Sequence, residues 1–235
     1  MADPKVLVLG GTGPAGICLL RELLHRSCAT VVYARNTSKI PDDIRDKKLL
    51  EIISGEISDG EKLAAAMAKC STIISLLGPD IKNPEIDPEL YPKLYSQNVL
   101  PAMRAHGVKR IFVMGTVSIK HQDDIWTIFQ PMVLVFMKLF ASSIYQNMTG
   151  LANLFQNTAE DLDWTIFRIA QIPGESDETS WKADRETGEV FVGYVGQTGW
   201  TSSIKRAALA RWLVDAYESG SSDWVHKMPA VSRRS

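Results

Sequence analysis

The sequence predicts an α/β fold: a doubly wound parallel sheet with a small, loop-rich substrate cap towards its C-terminal end. Three observations predict it. Short apolar runs such as Thr72-Ile73-Ile74-Ser75-Leu76-Leu77 alternate with stretches that are apolar at helical spacing, and unbroken apolar runs suit strands covered on both faces. The connections between them are short, which implies right-handed crossovers between parallel neighbours. Beyond the last such run, glycine, proline and charged residues crowd together over 171–202, the texture of irregular structure.

The first strand, 5–10, is Lys5-Val6-Leu7-Val8-Leu9 running straight into Gly10. A helix over 14–26 follows, opened by Pro14 and carrying Ile17, Leu20, Leu23 and Leu24 on one stripe. Further strands are expected at 29–34, 49–54, 72–78, 110–115 and 164–169, and helices at 59–69, 88–106, 132–159 and 203–218. Ser58-x-x-Glu61 fits a capping box for the 59–69 helix, and Gly107 fits the stop of the 88–106 helix. Gly78–Pro88 is an irregular surface connection. A short strand at Glu189–Tyr194 is expected inside the cap, the usual place for substrate contacts on such a scaffold. Ile204, Ala208, Leu209, Trp212, Leu213 and Ala216 then return a terminal helix to the core. One domain over 1–235 is expected.

Composition narrows the partners. Net charge is −1 across 235 residues, with no basic stripe, which argues against nucleic acid. The first strand starts almost at once, leaving no room for a signal peptide, and a cytoplasmic protein is expected. Cys18, Cys28 and Cys70 are widely spaced without a CxxC pair, so they predict thiols in a reducing compartment and no metal site. Ile125–Phe140 is almost wholly apolar, but Gln130, Pro131 and Lys138 interrupt it, and the uninterrupted part is too short to span hydrocarbon. A pocket wall, or a subunit contact such as a homodimer, is favoured over contact with a membrane.

Gly10, Gly13 and Gly16 carry the functional signal. The first lets the chain turn off the strand, the second bares backbone N–H groups to a pyrophosphate, and the third lets the helix pack on the sheet. Thr12, Pro14 and Ala15 complete that turn, and the positive end of the following helix faces the phosphates. A cofactor with a free ribose 2′-OH wants an acid at the end of strand two. The chain instead reads Val31-Val32-Tyr33-Ala34-Arg35-Asn36-Thr37-Ser38-Lys39. Arg35 and Lys39 suit a 2′-phosphate, so NADP(H) is expected over NAD(H). Leu77, Gly78, Thr116 and Ser118 fall at the ends of strands four and five, around the same crevice.

With these residues in place, the chain resembles the atypical short-chain dehydrogenase/reductases, in particular the NmrA-like, NAD(P)H-binding group, with its Rossmann-like fold. The resemblance rests on Gly10–Gly16, on Ala34-Arg35-Asn36, on Gly55-Glu56-Ile57-Ser58-Asp59, on Gly107–Val113 and on Leu162–Arg168. It implies that Glu56 and Ile57 hold the adenine region, although the family often has Asp where Glu56 stands. It implies a hydroxyl at the end of strand five, from Thr116 or Ser118. Redox members also use a Tyr-x-x-x-Lys pair to donate a proton and hold the nicotinamide ribose. The best match here is Tyr145-Gln146-Asn147-Met148-Thr149, with Thr149 where lysine should stand. Thr149 can hold a ribose hydroxyl but brings no charge to stabilise a phenolate.

The resemblance implies an oxidoreductase that reduces a small apolar carbonyl, enone or quinone-type substrate, with Tyr145, Thr116 or water as proton source. A second reading keeps the fold for a redox-neutral isomerisation, cyclisation or epoxide rearrangement, with Asp123, Asp124 or Glu175 as acid. A third is a non-catalytic NADP(H) sensor that binds a protein. Ile125, Trp126, Phe129, Phe136, Phe140, Trp181 and Trp200 are the candidate walls of an apolar pocket.

Overall fold

The computed structural model describes residues 5–79, 85–220 and 222–235. The middle of the Gly78–Pro88 connection lies outside the described residues. Strands β1 (Lys5–Leu9), β2 (Thr30–Ala34), β3 (Leu50–Ser54), β4 (Cys70–Ser75), β5 (Arg110–Thr116), β6 (Asp163–Ile169), β7 (Val190–Gly193) and β8 (Ala230–Arg233) form one sheet ordered β3-β2-β1-β4-β5-β6-β8-β7. β1 to β6 pair in parallel. β8 joins β6 in parallel, and β7 closes the edge antiparallel to β8. Strand order reverses between β1 and β4, which opens a crevice at their carboxyl ends.

Helices α1 (Pro14–His25), α2 (Asp42–Arg45), α3 (Gly60–Met67), α4 (Leu90–Leu94), α5 (Leu100–Ala105), α6 (Phe129–Phe140), α7 (Ser142–Thr158), α8 (Glu178–Asp184) and α9 (Arg206–Glu218) connect the strands. On one face of the sheet Leu63, Met67, Met103, Leu151 and Phe155 pack against Leu7, Leu9, Val31, Ile111 and Val113. On the other, Leu19, Leu20, Leu23, Leu209 and Leu213 pack against Val6, Val8, Val32, Ile74, Phe112 and Phe167. Covering both faces explains the unbroken apolar runs, each buried Leu or Phe contributing about 2 kcal/mol.

Several elements depart from expectation for local reasons. Asp59, not Ser58, caps α3, its carboxylate accepting the Lys62 N–H at 3.1 Å. The 88–106 helix is continuous but carries a π turn at Tyr95–Val99 between α4 and α5. Pro101 follows at once; its ring and missing N–H disturb the preceding helical turn, which the wider π spacing accommodates. The 132–159 helix is two helices, because Ala141 leaves helical geometry at φ −147° and ψ 44°. The 171–202 stretch, expected as a cap, divides between the crevice lining at Gln171 and Ile172 and elements packed elsewhere. α8 packs beside α1 and α9, and β7 belongs to the sheet through β8.

Candidate functional site

A cavity of about 760 Å³ opens at the carboxyl ends of β1, β4, β5 and β6. Its floor is the turn Gly10, Gly13, Pro14, Ala15 and Gly16, with Gly78 and Pro79 beyond β4. Gly10 sits at φ +80°, a conformation that favours glycine, and a Cβ there would lie 2.8 Å from the Leu76 carbonyl carbon. A Cβ on Gly16 would lie 2.2 Å from the Gly10 oxygen, so α1 can approach the turn only without one. Around Gly13 the nearest atom to such a Cβ is 3.8 Å away. α1 starts there with no side-chain cap and no acid in its first turn, leaving its first N–H groups free for an anion. A dinucleotide fits this cradle, and the pyrophosphate would lie on the Gly13–Gly16 turn.

Beyond the floor the lining is apolar: Met114, Phe129, Val133, Phe136, Met137, Ile144, Met148, Ile169 and Ile172. Thr116 and Ser118 supply hydroxyls, their oxygens 2.5 Å apart, and Ser118 is buried. Among the described residues, the one charged side chain in the lining is Arg206. Phe129 and Phe136, two of the expected walls, are in this lining.

Five expected wall residues do not line the cavity. Ile125, Trp126 and Phe140 point to solvent, 53%, 78% and 69% exposed. Trp181 is buried against the α1 side of the core, its ring edge-on to His25. Trp200 packs behind Phe129, centroids 5.7 Å apart. Of the 171–202 stretch only Gln171 and Ile172 reach the lining.

Tyr145 and Thr149 are also outside it. Val133, Met137, Ile144 and Met148 occupy the inward stripe, and the next residue round a helix is turned by about 100°. Tyr145 packs on Met137 and Ala141, under Lys138 at 5.7 Å from the ring centroid. The Thr149 hydroxyl donates back to the Tyr145 carbonyl at 2.9 Å, and its side chain borders a separate hollow between α4 and α7.

The remaining candidates lie around the turn. Leu77 packs into the core beside β4, and Thr12 is half-buried in the glycine turn. Arg35 and Lys39 are exposed past β2 and pair with no described residue. Glu56 is exposed after β3, its carbonyl accepting the buried Tyr33 hydroxyl at 2.8 Å, while Ile57 packs on the core. These four follow the carboxyl ends of β2 and β3.

The carboxylates proposed as acids are elsewhere. Asp124 accepts both Arg168 guanidinium nitrogens at 2.7 Å, the His121 and Val195 N–H groups and the Gln130 amide. Burial pushes its carboxyl up, but the Arg168 hydrogen bonds and charge outweigh this and hold it below the usual carboxylate range. An acid held ionised and fully bonded has no proton to give. Neither Asp123 nor Glu175 lines the cavity.

A family model described as NAD(P)H-binding matches residues 10–219. The chain belongs to the NAD(P)H-binding family. Its fold is Rossmann-like, an α/β sheet with helices on both faces. It is similar to an uncharacterised chloroplastic protein of Arabidopsis thaliana, 25% identical over 90% of this chain and 71% of that one. Among solved structures it resembles a wide-type short-chain dehydrogenase/reductase of Veillonella parvula in complex with NADP, at TM-score 0.75 and 14% identity, covering 98% of this chain and 94% of that one. It also resembles the anaerobillin reductase ChuY of Escherichia coli O157:H7, at TM-score 0.69 and 15% identity over 97% of both chains. The inward face of α7 in this member of the family carries Ile144 and Met148, so it offers no Tyr–Lys pair to the cavity. Sequence reasoning missed Arg206; its signal was Lys205-Arg206 at a helix start that has no acid.

Proposed function

We propose that the protein is an NADP(H)-dependent reductase of a small, apolar carbonyl, enone or quinone-type acceptor. The observation that carries this reading is one continuous cavity that begins at the glycine turn and ends in an apolar wall. When bound, the nicotinamide supplies the hydride. The chain's own part is to hold the acceptor and keep water away, through Phe129, Val133, Phe136, Met137, Ile144 and Met148. The Thr116 hydroxyl, positioned by Ser118, donates a hydrogen bond to the acceptor oxygen. A neutral hydroxyl pair is a weak acid, which favours acceptors whose reduced form delocalises its charge and takes its proton from solvent. Rearrangement by acid catalysis has less support, since no carboxylate lines the cavity among the described residues.

Mass spectrometry of the product tests the reading: a gain of two hydrogens is expected, and an unchanged formula would refute it. Tyr145→Phe should leave kcat within about twofold, whereas loss of a positioned acid costs around 10²–10⁴-fold. A large fall in kcat would return Tyr145 to the chemistry. Arg35 and Lys39 are assigned to the 2′-phosphate. Arg35→Ala should weaken NADPH binding about three- to tenfold, a modest loss because the site is exposed, and leave NADH unchanged in a fluorescence titration. Equal losses for both cofactors would refute the assignment. Three free cysteines suit a reducing compartment such as the cytosol, and among the described residues no helix is long and apolar enough to cross a membrane.

A further inference from the structure

Arg206 lines the cavity half-buried, and its guanidinium has neither an ion pair nor a hydrogen bond to any described residue. Its neighbour Lys205 pairs with Asp184 at 3.3 Å. The Arg206 N–H donates to the Pro173 carbonyl at 3.0 Å, which fixes the start of α9 against the chain that leaves β6. α9 has no acid in its first turn, so Arg206 stands at the positive end of a helix dipole, where a cation is disfavoured. α1 opens on the same cavity with an uncapped, acid-free first turn, and the two helices pack together. The Arg206 charge reaches α1: burial pushes the Cys18 thiol up to about 11, and Arg206 is the strongest influence pulling it back. One uncapped helix start, that of α1, and an unpaired guanidinium thus face one cavity that no carboxylate lines among the described residues. Such a field is complementary to an anion.

We infer that Arg206 binds the diphosphate bridge of the dinucleotide, completing the cradle that the Gly13–Gly16 turn begins. The assignment rests on the dinucleotide reading of the cavity. Its role differs from that of Arg35. Arg35 separates NADP from NAD, while Arg206 serves whatever carries the bridge. An acidic group on the acceptor is the competing anion, and it defines the opposite outcome.

Equilibrium titrations separate the two. Wild type, Arg206→Gln and Arg206→Lys are titrated with NADP⁺, NAD⁺, 2′-phospho-ADP-ribose and adenosine 2′,5′-bisphosphate. The first three ligands contain the bridge and the last does not. Arg206→Gln should weaken all three bridged ligands by about tenfold or more, the range of a charged hydrogen-bonding partner. The bisphosphate should stay within about twofold. Arg206→Lys, which keeps the charge but loses the fork, should fall between. If Arg206→Gln proves unstable, the same pattern in Arg206→Lys decides between the two anions. Unchanged affinity for the bridged ligands, with or without a raised KM for an acidic acceptor, would overturn the inference. A wild-type protein that binds none of the four ligands would instead overturn the dinucleotide reading itself.

Discussion

Gly13→Asp should abolish dinucleotide binding while leaving the protein as stable as wild type. Gly13 sits at φ −80° and ψ 164°, extended backbone open to any residue, with no atom closer than 3.8 Å to an added Cβ. It is also the N-cap of α1, a position at which aspartate is favoured and differs from glycine by only a few tenths of a kcal/mol. The new carboxylate would stand where the diphosphate must lie, and like-charge juxtaposition costs several kcal/mol. Calorimetric titration should therefore show affinity lower by about 100-fold or more, with Tm unchanged. Gly16→Ala is the contrasting variant. Its methyl would fall 2.2 Å from the Gly10 oxygen, so it should unfold the corner and lower Tm. Retained binding in folded Gly13→Asp would place the cofactor elsewhere.

Asp124→Asn should be among the most destabilising single changes in the chain. Asp124 and Arg168 are 4% and 0% exposed, and the carboxylate joins β6 to the loop after β5, to Gln130 at the start of α6 and to Val195 after β7. Removing one partner strands a buried guanidinium, which costs about 3–5 kcal/mol, or about 10 °C in Tm for a chain of this size. The pH dependence follows from the depressed carboxyl. Its contribution is complete above the ordinary aspartate pKa of about 3.9 and is lost as pH falls through the lower folded value. Wild type should lose stability through that acid window more steeply than Asp124→Asn does. Chemical denaturation at neutral pH and in that window measures both effects; a neutral-pH loss below about 1 kcal/mol, within the usual range for exposed pairs, would show that the pair is not the anchor described.

The sheet and the glycine turn were legible because their causes are local: β-branched runs, glycine where no Cβ fits, and short connections. The sequence also held the inward stripe of the two helices after β5. Val133, Met137, Ile144 and Met148 recur at spacings of four and seven residues and share a face. Following the Tyr-x-x-x motif instead led to Tyr145 and Thr149, one position round the helix. The break at Ala141 had no proline or glycine to announce it. β8 is too short to stand out, and its pairing with β6 and β7 is set by the rest of the sheet. Nothing local marked Asp124 as a buried anchor, because its partner, Arg168, lies 44 residues away in sequence. Trp181 looked like a pocket wall because aromatic residues serve cores and ligands alike.

The outer side of α6 bears on how selective the chamber can be. Met132, Val135, Leu139 and Phe140 face water, and Phe136 reaches both the interior and the solvent. Among the described residues little stands behind that helix to resist a bulky guest, which would displace a thin partition rather than compress a packed core. Discrimination by bulk should therefore be lax.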